Sequence, residues 1–180
     1  VAAGERIMAP VVLDVSGFLK AGGRNEVALA APEGFPASSV RLSASWYEPW
    51  SAAPRGDLGL DVRFSATEAA PGDAIRCDVA FRRPAYHGYG MAIAEVGLPP
   101  GAEADRASLA ALAGKSGVQS FEVEPDRVVF YLWPREETTS FAFTFRPRFA
   151  MRARSAPSWA WDYYNPDART AVAPAEFTVR

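Results

Sequence analysis

The run Ser158-Trp159-Ala160-Trp161-Asp162-Tyr163-Tyr164-Asn165-Pro166-Asp167 sets four large aromatic side chains within six residues and ends on Asn-Pro-Asp, a turn signal. Alternation puts Trp159, Trp161 and Tyr163 on one side and Ala160, Asp162 and Tyr164 on the other. The pattern is that of a strand with one heavily apolar face, closed by a turn that Pro166 helps to fix. Such a face is expected in the middle of a core or against a partner. The run contains no catalytic motif.

Working outward, the flanking sequence alternates in the same way. Thr139 to Phe149 carries Phe141, Phe143 and Phe145 on one face, and Ala175-Glu176-Phe177-Thr178-Val179 closes the chain as a strand. Upstream, strands are expected over 118–123 and 128–132. Others are expected at Leu60 to Thr67, at Ile75 to Phe81 (after the Pro71-Gly72-Asp73 turn) and at Met91 to Leu98. One helix interrupts them, from Ala104 to Lys115, with Asp105 as N-cap, Leu109 and Leu112 three apart, and Gly114 or Gly117 at its end. Nearer the start, strands are expected at 11–15, at 25–30 and at 40–50, with a single turn around Phe18 and Leu19. Ser51 to Gly59 reads as a linker. About eight or nine strands and one short helix, with 15 Pro and 14 Gly scattered between apolar runs, predict an all-β fold. Its architecture is a two-sheet β-sandwich of immunoglobulin-like type.

The chain has 180 residues, 49% hydrophobic and 22% charged, the balance of a globular protein with a full core. A net charge of -2 offers no bulk attraction to nucleic acid or to an anionic membrane surface. One cysteine, Cys77, excludes an internal disulfide and supplies no metal-ligand spacing, so it reads as a small core residue. No segment has the length of a membrane-spanning helix. The chain opens Val1-Ala2-Ala3-Gly4-Glu5 without an initiator Met and reads as a piece of something longer.

No set of residues carries visible chemistry. His87 is the only histidine and stands in a Pro-Ala-Tyr-His-Gly-Tyr-Gly loop without a nucleophile elbow nearby. Glu136 and Glu137 are adjacent, so they are not placed as a paired acid and base. Arg146, Arg148, Arg152 and Arg154 fall at even spacing, read as the solvated edge of a strand or, alternatively, as an anion-binding ladder. The residues therefore describe a non-enzymatic β-rich module without cofactor or metal. A carbohydrate-binding or adhesion sandwich is a second possibility, for which Trp50, Trp133, Tyr86 and Tyr89 are the candidate stacking rings.

The order Gly90-Met91-Ala92-Ile93-Ala94-Glu95-Val96, short helix, Val128-Val129-Phe130-Tyr131-Leu132, Phe141-Ala142-Phe143, then Trp161-Asp162-Tyr163-Tyr164-Asn165 resembles the C-terminal receptor-binding domain of the alpha-2-macroglobulin and complement family. The resemblance covers residues 59–180, and residues 1–52 are similar to the last strands of the β-domain that flanks the thioester domain. It implies a macroglobulin-type sandwich in a broad-spectrum protease inhibitor that cages proteases after a bait segment is cut. Its partners would be the thioester domain of the same parent chain and, through the whole molecule, the target proteases. The family's thioester motif is absent here, as are the cysteines of its animal members. That implies a bacterial member, periplasmic or on the cell surface, with a lipid-anchored or secreted parent protein.

In that family this domain shields the thioester from water. The positions matching that role are Met91, Tyr163 and Tyr164, while a further aromatic contribution would fall at Arg148, where the sequence departs. The helix lysines used by animal members for receptor binding match Arg106 and Ala110, so one positive charge survives. Strict alternation makes Tyr164 the freer ring, whereas the resemblance points first to Tyr163. The sequence leaves both open.

Overall fold

The computed structural model describes residues 12–28, 30, 41–45, 50, 57–84 and 90–180. The chain divides into two units, Val1–Ser45 and Trp46–Arg180. In the first, the expected turn is present as a 3-10 turn over Ser16–Phe18. It is opened by the Asp14 carboxylate, which accepts the Ser16 N–H at 2.9 Å. Asn25 then clasps the following bend, accepting the Lys20 N–H and donating to the Lys20 and Gly23 carbonyls. The strands expected ahead of the sandwich are not formed among the described residues of this unit. Val12, Leu13 and Leu42 stand exposed there. A strand is a pairing with a neighbour, and a lone hairpin without a sheet to join is marginal in water.

Among its described residues the second unit holds twelve strands and one helix. They are β1 (Gly59–Phe64), β2 (Glu68–Ala69), β3 (Ile75–Arg82), β4 (Ala92–Gly97), β5 (Ala102–Ala104), α1 (Arg106–Ala110), β6 (Val118–Val123), β7 (Arg127–Leu132), β8 (Thr138–Pro147), β9 (Met151–Arg154), β10 (Ser158–Asp162), β11 (Arg169–Val172) and β12 (Glu176–Val179). The strands form a four-stranded sheet β1-β3-β8-β5, a five-stranded sheet β11-β10-β4-β7-β6 and a small sheet β2-β12-β9. Every pairing is antiparallel except β2 with β12. The β-sandwich expected from the alternation is present. The additional strands are the short pieces β2, β5, β9 and β11, too brief to carry a period of their own.

The sheets meet over a phenylalanine core. On β3, Ile75, Cys77, Val79 and Phe81 point inward while Arg76 and Asp78 face solvent. On β8, Phe141, Phe143 and Phe145 do the same, as their spacing predicts. Phe130 of β7 crosses the interior to meet Phe141 and Phe143, with ring centroids 4.7 and 5.4 Å away. Phe177 of the small sheet packs edge-on against Phe64 at 5.0 Å, which joins that sheet to the same core. The helix is shorter than expected. Asp105 caps it as predicted, accepting the Ala107 and Ser108 N–H groups, and buried Leu109 anchors it.

Two further expectations are corrected. In β10 the inward residues are Ser158, Ala160 and Asp162, all buried, whereas Trp159 and Trp161 lie half-buried on the outer face with Tyr163 beyond them. The phenylalanines opposite already fill the interior, so β10 has space inside only for small side chains, and Ala160 is fully enclosed. The arginine ladder is also not one edge. Arg146 and Arg148 belong with β8 of the four-stranded sheet, and Arg152 and Arg154 with β9 of the small sheet. All four are exposed. Arg148 pairs with Glu103, Arg152 pairs with Glu176, and Arg146 donates to the Gly72 carbonyl.

Candidate functional site

Tyr163 and Tyr164 follow β10 at the turn into β11. They are 47% and 71% exposed, and their rings stack edge-on with centroids 5.2 Å apart. The backbone that presents the pair is held on every side. The Tyr163 N–H donates to the Met91 carbonyl at 2.9 Å. The Asp162 N–H donates to Ala168, and the Ala168 N–H returns to Asn165. The Asp162 carboxylate accepts the Tyr164 and Asn165 N–H groups at 2.8 and 3.0 Å through one oxygen. This is the local bond that an Asp opening a turn is suited to make. Its other oxygen meets the Arg83 guanidinium at 2.5 Å.

Tyr163 also ends a wider apolar stripe on the outer face of the five-stranded sheet. Trp161 lies beside Ile93, and Ile93 beside Tyr131, while Trp159 lies beside Glu95 and Glu95 beside Val129. Ile93 and Val129 are covered although they face away from the core. Glu95 pairs with Arg127 at 2.7 Å, and the Tyr131 hydroxyl donates to Glu122 at 3.2 Å. Desolvation first, then Glu122 and the nearby Tyr163, push the Tyr131 phenol above its ordinary range.

The structure brings Met91, Tyr163 and Tyr164 together. Met91 is half-buried and touches the turn through its backbone. Arg106 and Arg148 are elsewhere. Arg106 opens α1, which docks where the Asp105 N–H meets Thr144, and Arg148 follows the Pro147 end of β8. Arg83 stands at the other end of that strand, its N–H bonded to the Glu137 carbonyl. His87, Tyr86 and Tyr89 lie outside the described residues. Cys77 is fully buried within the core, and burial pushes its thiol far above the ordinary range, the setting of a packed core residue. Among the described residues no three His, Cys, Asp or Glu side chains are grouped to hold a metal. No described helix is long and apolar enough to cross a membrane.

Trp50 and Trp133 are 42% and 41% exposed. Trp133 borders a shallow cleft with Arg135, Glu136 and Thr138, faced by the Gly114–Gln119 turn. Arg83 carries no sequence signal of its own, and Gly90 and Asp162 stand in the runs that carry the resemblance without a role being assigned to either.

Residues 88–173 match the family model of the A-macroglobulin receptor binding domain. No curated protein matches the chain in sequence. Among solved structures, native alpha-2-macroglobulin from Escherichia coli, spanning domain MG7 to the C-terminus, superposes with a TM-score of 0.59 at 13% identity. That alignment covers 72% of this chain and 24% of the other. The native conformation of E. coli alpha-2-macroglobulin gives 0.60 at 14% identity, over 74% of this chain and 10% of the other. Salmonella alpha-2-macroglobulin reacted with methylamine gives 0.55 at 15%, over 72% and 10%. The chain thus spans about a quarter or less of the proteins it superposes on. Residues 88–173 thus resemble an A-macroglobulin receptor binding domain, and the sandwich around them has the fold of the C-terminal region of bacterial alpha-2-macroglobulins.

Proposed function

We propose that this chain is the non-catalytic C-terminal module of a bacterial alpha-2-macroglobulin-like protease inhibitor. It docks through Tyr163 and Tyr164 on the thioester domain of its own parent chain and keeps water from the thioester in the resting molecule. The observation that carries this reading is the stacked, exposed tyrosine pair on a turn whose backbone is bonded on every side. Tyrosine supplies contact area with little conformational freedom to lose, and a fixed turn lowers the ordering cost further. A thioester persists only where water is excluded, which two phenol rings and the Met91 side chain can provide.

The exposed Val12, Leu13, Phe18 and Leu42 support reading residues 1–52 as the C-terminal strands of the flanking β-domain, apolar positions that need the rest of a sheet. Proteases would meet this module only as part of the whole inhibitor, outside the cytoplasm. The test is thiol release from the full-length parent protein carrying Tyr163→Gly and Tyr164→Gly, followed without protease. Faster release is expected, and an unchanged thioester lifetime would remove the shielding role.

A second reading, saccharide binding, draws on Trp133. Its exposed indole beside Arg135, Glu136 and Thr138 is the arrangement on which a sugar ring can stack and bond. Glycan-array binding by the chain that disappears in Trp133→Ala would favour it over the first.

A further inference from the structure

From the ion pair between Arg83 and Asp162 we infer a positioning device that fixes Tyr163 and Tyr164 for contact. The inference rests on the reading of those tyrosines as the contact pair and adds the residues that hold them. Arg83 directly follows β3 of the four-stranded sheet, and Asp162 ends β10 of the five-stranded sheet, 79 residues away. The pair therefore ties the two sheets at the end of the sandwich where the turn emerges. Its side chains are only 23% and 9% exposed, so solvent screens the attraction far less than at a surface pair.

Both oxygens of the Asp162 carboxylate are engaged. One accepts the Tyr164 and Asn165 N–H groups and the other meets Arg83. The guanidinium thereby fixes the carboxylate, and the carboxylate fixes the two backbone amides that set the direction of the tyrosine pair. Gly90 completes the arrangement. A Cβ there would stand 2.7 Å from an Arg83 guanidinium nitrogen, and its φ of +125° is a conformation that other residues rarely adopt. Aspartate is required by chemistry at 162. Asparagine could still accept from the turn, but its amide N–H₂ would face the guanidinium as a second donor.

The test is residue-resolved amide hydrogen exchange on the 180-residue chain, comparing wild type with Arg83→Gln and Arg83→Lys. Arg83→Gln is expected to speed exchange at Tyr164 and Asn165 at least about tenfold while Phe130 and Phe143 keep their protection. Arg83→Lys, which keeps the cation, is expected to restore part of it. Wild-type protection at Tyr164 and Asn165 in Arg83→Gln overturns the inference, as does an equal loss across the core. Should Arg83→Gln fail to fold, Asp162→Asn is read by the same criteria. Thiol release from the full-length parent carrying Arg83→Gln separates the two ideas. Loosened turn amides with an unchanged thioester lifetime leave the positioning role standing and remove the shielding role.

Discussion

The carbonyl of Met91 accepts the N–H of Tyr163 at 2.9 Å, so the entry to β4 and the aromatic turn hold one another through backbone rather than side chain. This separates the backbone contact of Met91 from the shielding role that the resemblance implies for its side chain. Met91→Ala keeps the backbone bond and removes only a half-buried thioether. A loss of about 1 kcal/mol in urea denaturation is expected, with the Tyr163 amide still protected from exchange. A freely exchanging Tyr163 amide in this variant would show that the side chain, and not the carbonyl, orders the turn.

The tyrosines themselves are expected to matter little for folding. Tyr164 is 71% exposed, so Tyr164→Ala should lie within about 0.5 kcal/mol of wild type. Tyr163, half in contact with its neighbours, should cost about 1 kcal/mol. A contact pair is distinguished from a core pair by this small cost. A loss of about 3 kcal/mol or more at Tyr164 in equilibrium unfolding would place the ring in the fold's own packing.

How the aromatic strand was read from sequence shows where alternation stops being informative. It separated Trp159, Trp161 and Tyr163 from Ala160 and Asp162 correctly, because period two is a property of the strand alone. It assigned the wrong set to the interior, because which face turns inward depends on the volume left by Phe130, Phe141 and Phe143 on other strands. At β8 the same reasoning succeeded, since three phenylalanines against Ser140, Ala142 and Thr144 leave no ambiguity. The tyrosine turn was legible from Asn165-Pro166-Asp167, and the Asp105 cap from its place before the helix. Arg83 was not, because its partner is 79 residues away and neither neighbourhood carries a local pattern.

Cys77 provides a pH signature for the core. Its thiol, with an ordinary pKa of 9.0, is raised by burial and, to a smaller extent, by the Asp78 charge. Above pH 9 the unfolded chain releases this proton while the native chain retains it. The native state then binds more protons than the unfolded one, and stability falls as pH rises, by about 1.4 kcal/mol per pH unit for one group. Below pH 9 the contribution is complete. Urea midpoints measured from pH 7 to 10.5 should therefore decline less steeply above pH 9 in Cys77→Ala than in wild type. Parallel profiles would mean that the thiol ionises as readily in the fold as outside it.

Where β4 leaves the sheet it passes close against the entry to β10. A Cβ on Gly97 would stand 2.0 Å from the Ala156 carbonyl oxygen and 2.9 Å from that of Pro157. Both obstacles are backbone, which cannot rotate aside as a long side chain would. The crossing is also bonded in both directions. The Gly97 N–H donates to the Ser158 hydroxyl at 3.0 Å, and the Ala156 N–H donates to the Leu98 carbonyl at 3.2 Å. Gly97→Ala must move residues 156 and 157, and with them the start of the strand that carries the tyrosine turn. The expected cost is at or above the upper end of the roughly 1–3 kcal/mol typical of overpacking. Ser158→Ala, which leaves the buried Gly97 N–H without its acceptor, should cost about 1–3 kcal/mol without the steric displacement. Urea denaturation ranks the two, and Gly97→Ala is expected to be the more damaging. A loss under about 0.5 kcal/mol in Gly97→Ala would show that the crossing relaxes freely, so that the absence of a side chain at 97 is not what permits the two strands to meet.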